Sequence, residues 1–341
     1  MLILRPIERT DLDDLVDLAR RLDSVNLPSD REFLAERIEC SLASFPGERP
    51  PGKPGVYVFA LEDGETGRCV GTSMILAKHG VPGSPYFWLE VSSEERRCDS
   101  LERRFVHTKL RLRSTEDGPT EIGGLILEPA YRQHPEKCGK ALSIVRFAYM
   151  AVNPDRFERF VIAEMLSPFE ESGENLLWEA FGRHFTGLPY READHLSARD
   201  KQFIADLFPA DPVYVTLFPE KVQAVIGRPN ETAIAAVRIL EKVGFRPLNQ
   251  VDPFDGGPYY GTARDAISSV SERRELVLPG AAPDAPTPPG GPLALLSAHG
   301  AHGFRATVVS LDGAGAPRVP TPCRDALGVS AGDRVSVTPL P

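Results

Sequence analysis

Residues 121–152 constrain the chain more than any other stretch. The apolar run Glu121–Leu127 reads as a strand, and Pro129–Lys140 reads as a loop that carries Arg132, Lys137, Gly139 and Lys140. Ala141–Val152 then sets Leu142, Val145, Tyr149 and Val152 on one face of a helix. A strand that feeds a basic, glycine-containing loop into a helix start makes an anion site. The free N–H groups of the first turn point outward and the helix dipole adds positive potential. An ordinary strand–loop–helix crossover with solvated basic residues is spelled the same way, so both readings stay open on these residues alone. Neither GxGxxG nor GxxxxGK[ST] occurs, which removes the dinucleotide and P-loop readings.

The rest of the chain alternates in the same manner. Leu2–Arg5 is a short strand, Thr10–Arg21 a helix, and Ser29 with Glu32 spells a capping box before a second helix bearing Leu34, Ile38 and Leu42. Val56–Leu61 and Cys69–Leu76 flank the turn EDGETGR as a hairpin, His79–Asp117 reads as strand and loop, and Phe160–Met165 as a strand. Helices are expected at Asn175–Phe181, Ala198–Phe208 and Glu231–Val243, the last closed by Gly244. Alternating elements of this kind imply an α+β fold with a mixed central sheet over residues 1–275. Six prolines between Pro279 and Pro292 mark 276–292 as a linker, and the short alternating runs in 293–341 read as a small β-rich C-terminal module.

Composition excludes several classes of function. A net charge of −9 offers no basic field for nucleic acid or an anionic membrane. The apolar N-terminal run stops at Arg5, short of the roughly 7–15 residues of a secretory signal, and no apolar run approaches the roughly 20 residues of a membrane span. Cys40, Cys69, Cys98, Cys138 and Cys323 are odd in number and lack CxxC spacing, which suits reduced thiols in the cytoplasm. His299 and His302 have no further ligand at zinc spacing, so no metal is expected.

LEPAYRQ…CGKAL resembles the pyrophosphate loop of GNAT-type acyltransferases, Arg-x-x-Gly-x-Gly running from a strand into a helix. Here the loop is two residues longer, Lys137 stands at the first glycine position, and Gly139 is the matched glycine. The segments ILRPIERTDLDDLVDLA, YVFALEDGETGRCVGTS, GGLILEPAYR, FVIAEM, LLWEAFGRHF, AAVRILEKVGF and DPFDGGP narrow the resemblance to the arginine N-succinyltransferase family. ALGVSAGDRVSVTPL is similar to C-terminal tails of some members.

This resemblance implies a GNAT-like acyl-CoA N-acyltransferase fold and transfer of succinyl from succinyl-CoA to the α-amino group of arginine. Succinyl-CoA is then a co-substrate, with no permanently bound cofactor. The motif strand would lay Leu125 and Leu127 beside the thioester, with Arg132, Lys137, Gly139 and Lys140 around the phosphates. Where the family assigns a histidine as proton donor this chain has Asn230, a residue type that also caps helices. Glu121 is the candidate for relaying the proton of the amine through water, with Glu164, His184 and His195 as other titratable candidates. Asp252 and Asp255 are suited to gripping a guanidinium, although turn formation also selects Asp and Gly. A different amine or acyl group, or a catalytically silent CoA- or amino-acid-binding protein, are the alternatives; a homo- or hetero-oligomer is left open.

Overall fold

The computed structural model describes residues 1–22, 30–48, 52–197, 200–279 and 291–341. Its strands are β1 (Leu2–Pro6), β2 (Val56–Asp63), β3 (Cys69–Leu76), β4 (Tyr86–Cys98), β5 (Arg103–Thr115), β6 (Thr120–Leu127) and β7 (Phe160–Glu164). They continue with β8 (Val213–Tyr214), β9 (Arg246–Val251), β10 (Pro258–Ala263), β11 (Arg274–Val277), β12 (Leu293–Gly300), β13 (Gly303–Ser310) and β14 (Arg334–Pro339). They form one sheet in the order β11-β14-β12-β13-β1-β2-β3-β6-β7-β10-β9-β4-β5-β8. Among the described residues β6 and β7 are the one parallel pair, which makes the sheet mixed.

Alternation along β2 shows why the sheet is covered on both faces. Val56, Val58 and Ala60 pack with Leu15, Val16, Leu34 and Ile38 of helices α1 (Leu12–Leu22) and α2 (Arg31–Ser44). Tyr57, Phe59 and Leu61 point the other way, onto Val145, Phe147 and Ala148 of helix α3 (Cys138–Val152). A period of two with apolar residues at both phases requires a layer on each side. Ser29 of the expected capping box lies outside the described residues; Asp30 caps α2, its carboxylate accepting from the N–H groups of Glu32 and Phe33 at 2.9 and 3.0 Å.

Several expectations shift in detail. His79–Asp117 is mostly one long hairpin of β4 and β5, paired from Tyr86↔Thr115 to Cys98↔Arg103. Charged residues on its exposed faces had hidden the period of two. The helix expected from Glu231 begins at Ile234 after a turn, and the one expected from Ala198 is Gln202–Leu207, residues 198–199 lying outside the described set. A second core forms under β4, β5 and β9, where Trp178 stacks on Phe254 at 5.1 Å and donates its indole N–H to Leu188 O at 2.9 Å.

At the N-terminus, Arg5 is buried in a two-armed pair with Asp11 at 2.7 and 2.9 Å and reaches Glu62 at 2.5 Å. These partners hold the guanidinium above its usual pKa although burial opposes it. The same strand ties in the C-terminal residues. Most of the expected linker, 280–290, lies outside the described residues, whereas 293–341 supply β12, β13 and β14. These join the main sheet through the pairing of β13 with β1 at Leu4↔Ala306. Leu295, Phe304 and Ala306 share one core with Phe59 and Tyr149, the Phe304 and Tyr149 rings meeting edge-on at 5.0 Å.

Truncating a fully buried phenylalanine costs about 3–5 kcal/mol. Phe304→Ala is therefore expected to lower the stability of a single unfolding transition by that amount, read by urea melts at two wavelengths. An independently folding C-terminal unit would instead show a separate transition and leave the remainder unchanged.

Candidate active site

Strand β6 is held by β7 for a short distance only, at Thr120↔Val161 and Glu121↔Ile162. On its other side the pairing with β3 slips between Met74↔Gly123 and Thr72↔Ile126. Gly124 sits at this slip with φ +57°, and a Cβ there would lie 3.1 Å from the Met74 side chain. A larger residue would be strained in both backbone and packing, so the double glycine lets β6 turn away from β7. Past Glu121 the side of β6 that faced β7 is an open strand edge, and an extended thioester arm can pair with it as a further strand would. Leu125 and Leu127 send their side chains against the α3 core. They therefore offer their backbone, not their side chains, to that edge.

The following loop ends at Lys137, which takes a left-handed conformation (φ 53°, ψ 50°) and leads into α3. Arg132 and Lys137 are exposed, and the Gly139 N–H has no acceptor among the described residues, as befits an open helix terminus. A Cβ at Gly139 would meet only Leu127 Cδ2 at 3.8 Å, so any crowding there falls on a ligand and not on the protein. Lys140 is turned away from the loop, donating to the carbonyl of Pro341, and its pKa is lowered by burial and by Lys242 and Lys137.

Beyond the end of β7 lies a group of carboxylates. The turn from Asp252 to Pro258 is built by its own side chains: Asp252 Oδ1 accepts from the N–H groups of Phe254 and Asp255, at 2.7 and 3.0 Å. Asp255 spends both oxygens on backbone, Oδ1 on Gly257 N–H at 2.6 Å and Oδ2 on Ser167 N–H at 2.9 Å. A Cβ at Gly257 would stand 2.1 Å from Met165 O, which explains the second glycine. Oxygens of Glu164, Asp252 and Asp255 all lie within 4.8 Å of one another. Tyr259 places its hydroxyl 3.3 Å from Glu164 Oε2 and 3.4 Å from Asp252 Oδ2.

Burial raises all three carboxylates, and repulsion adds to it for Glu164 and Asp255. Asp255 is pushed up to about 8 by burial and Asp252, Glu164 well above the ordinary value by burial and both aspartates, and Asp252 upward by burial. Nearby Asp194 is pushed up to about 6 by burial and Asp252. Asp255 is fully buried, whereas Glu164 and Asp252 are half-buried. The result is a recess of acidic groups whose charged forms are disfavoured in the free protein and would be favoured by an incoming cation.

Glu121 lies next to this recess at the start of β6. Burial alone would raise its pKa, but His79, Lys201 and Arg37 together hold it below the ordinary carboxylate value. His79 Nδ1 is 2.5 Å from Glu121 Oε2, out of line for a hydrogen bond. Lys201 Nζ is 3.1 Å from His79 Nε2, and since an ammonium only donates, Nε2 accepts and a neutral ring carries its proton on Nδ1. Tyr86 closes the set, its ring 4.6 Å from His79 and 5.5 Å from Tyr259. His79, Tyr86, Lys201 and Tyr259 were missed in the sequence because they come from four separate segments with no shared motif.

The other candidates do not join this group of side chains, although Asn230 lies beside the segment that carries Glu164 and Ser167. Asn230 caps the turn before helix Ile234–Lys242: Oδ1 accepts from Ala233 N–H and Thr232 Oγ1, both at 2.8 Å, and its own N–H donates to Leu166 O. His184 and His195 are exposed on helices of the second core, and His299 rests on the Phe304 ring at 5.3 Å.

A mixed sheet whose parallel pair parts beside a glycine-bearing helix start defines a GNAT-type acyl-CoA N-acyltransferase. The chain belongs to the arginine N-succinyltransferase family. The family model for the arginine N-succinyltransferase beta subunit matches residues 2–269. Arginine N-succinyltransferase of Yersinia pseudotuberculosis serotype O:3 is 35% identical over 347 residues, covering 100% of this chain and 98% of that protein. Its counterpart from Citrobacter koseri is 34% identical over 345 residues with the same coverage. The structure of arginine/ornithine succinyltransferase subunit AI from Pseudomonas aeruginosa superposes with a TM-score of 0.84 at 29% identity, covering 100% of this chain and 99% of that one.

The carboxylate recess yields a pH prediction. A carboxyl whose folded pKa is raised favours the fold at low pH and loses that contribution as pH rises from its unfolded value, 3.8, through the folded one, about 8 for Asp255. Without substrate the melting temperature should fall between pH 5 and 8 more in the wild type than in Asp252→Asn, where one of the repelling charges is gone. The gap at pH 8 is expected to be about 2–4 °C in favour of the variant, vanishing near pH 4, by calorimetry.

Proposed function

We propose that the chain transfers the succinyl group of succinyl-CoA to the α-amino group of arginine, giving N2-succinylarginine and CoA. The observation that carries this reading is the recess of Glu164 and Asp252 beside Glu121. A guanidinium gives such a recess the positive, multiply donating partner it lacks, and leaves the amine of the same molecule toward the open edge of β6. Unpaired buried carboxylates would in turn reject neutral side chains.

Transfer then needs few groups. The α-ammonium loses a proton, through water, to Glu121, whose negative form is maintained by His79, Lys201 and Arg37. The free amine attacks the thioester carbon, and backbone N–H groups of β6 near Leu125 hold the oxyanion. The C–N bond forms, the C–S bond breaks with its electron pair going to sulfur, and the nitrogen gives up its second proton to solvent as the thiolate leaves. A free thiolate, with a pKa of about 8.5, departs without a strong acid, so the commitment of Asn230 to its cap does not block the step. The phosphates are assigned to Arg132, Lys137 and the N–H of Gly139; Lys140 would join them only by releasing Pro341.

No helix among the described residues is long and apolar enough to cross a membrane, and none of the five cysteines is in a disulfide. Both features fit the proposed placement in the cytoplasm, where thiols stay reduced.

Thiol release with succinyl-CoA, compared across arginine, ornithine, citrulline and norleucine, tests the reaction. Arginine should be preferred, and Glu164→Gln should raise its KM about 10- to 100-fold while the KM for succinyl-CoA stays within about twofold. Binding of succinyl-CoA with no thiol release from any amine would instead favour a silent, ligand-binding role.

A further inference from the structure

Arg146 is a charge the proposed mechanism has not used. It lies on α3 and is 3% exposed, yet among the described residues no carboxylate reaches it. Nε donates to Ser143 O at 3.1 Å and Nη2 to Ser143 Oγ at 2.9 Å, both within its own helix turn. Nη1 has only a long contact, 3.5 Å, to Gly123 O. Burial lowers its pKa to about 9, with no opposing partner. Buried guanidinium groups are ordinarily paired, and leaving one unpaired is costly.

Its place on the strand is informative. Gly123 is two residues past Glu121↔Ile162, the last register pair of β6 with β7, and two before Leu125. Arg146 therefore reaches the sheet where the two strands part. Two residues of strand span roughly 7 Å at most, and the bend at Gly124 shortens this. A four-carbon diacyl chain held by its carbonyl near Leu125 would bring its far carboxylate within reach of Nη1.

We infer that Arg146 is the specificity residue for the acyl group, pairing with the terminal carboxylate of a dicarboxylic acyl-CoA. The inference rests on the succinyl-CoA reading above and adds the group that distinguishes this donor from a neutral acyl-CoA. An incoming carboxylate gives the guanidinium the bidentate partner it lacks, whereas a neutral acyl chain leaves it unpaired. The two charge-binding roles are also separated: the recess at Glu164 takes the cation of the acceptor, and Arg146 takes the anion of the donor, so the substrates cannot exchange places.

The test is the ratio of kcat/KM for succinyl-CoA to that for butyryl-CoA, which replaces the carboxylate by a methyl group, with arginine as acceptor. In Arg146→Met this ratio should fall about 100-fold, the scale for losing one side of a desolvated charge pair, and in Arg146→Lys less. Arg146→Met loses the hydrogen bonds to Ser143 and Gly123, so its melting temperature is measured beside the rates and the ratio is read only on folded protein. Equal loss with both donors, or an unchanged ratio, overturns the assignment and makes Arg146 structural. If Arg146→Met does not fold, Arg146→Lys decides alone: a ratio equal to wild type would count against the inference. A wild type that does not prefer succinyl-CoA to butyryl-CoA defeats the donor reading itself. A wild type that does, with variants that keep the preference, defeats only Arg146.

Discussion

β6 stays with β7 for two register pairs and then leaves it, because Gly124 adopts a conformation open to few other residues and Met74 leaves no room for a side chain there. The rest of the site depends on that parting. A strand edge in the middle of a sheet is normally paired, and an unpaired one carries N–H and C=O groups in need of partners. The gap supplies main-chain groups for a ligand arm, brings the helix terminus at Gly139 to one end and exposes Glu121 at the other. α3 then closes it from one face. The order of groups along the reaction path follows from the backbone and owes little to individual side-chain placement.

Charge is segregated along this gap, basic toward the helix start and acidic toward β7. Arg132 and Lys137 lie in the loop before α3, Arg146 beneath the bend, and Glu121 where the strands meet; Glu164 ends β7, with Asp252 beside it. Arg146, Glu164 and Asp252 have no ion-pair partner among the described residues, in contrast to Arg5, which has two carboxylates and is closed to solvent. Both arrangements bury charge, and only the first leaves it available. Pre-placed opposite charges select for the orientation of two substrates as well as for their identity.

Much of this was legible in the sequence, and the reasons differ by element. The β6–loop–α3 unit was visible because its period changes from two to 3.6 within a few residues. The turn DPFDGGP was visible because only glycine fits beside Met165, which keeps its spelling narrow. Asp252 and Asp255 read alike as guanidinium ligands, yet only Asp252 keeps an oxygen facing the recess, since Asp255 bonds Ser167 and Gly257. That distinction depends on Ser167, 88 residues away, and no local pattern carries it. His79 and Lys201 meet across 122 residues for the same reason. The long hairpin of β4 and β5 was obscured by charge on its exposed faces, and the joining of β13 to β1 is a pairing between chain ends that periodicity does not encode.

That last pairing determines the order in which the molecule can be assembled. Thr307 donates its hydroxyl to Leu2 O at 2.9 Å across 305 positions of sequence. On a ribosome the first strand emerges early, finds β2 as its inner neighbour, and keeps its outer edge bare until nearly the whole polypeptide has been made. Closing so long a loop is entropically slow, and exposed strand edges invite pairing between nascent chains. The edge of β1 is therefore completed late, only after β13 has been made.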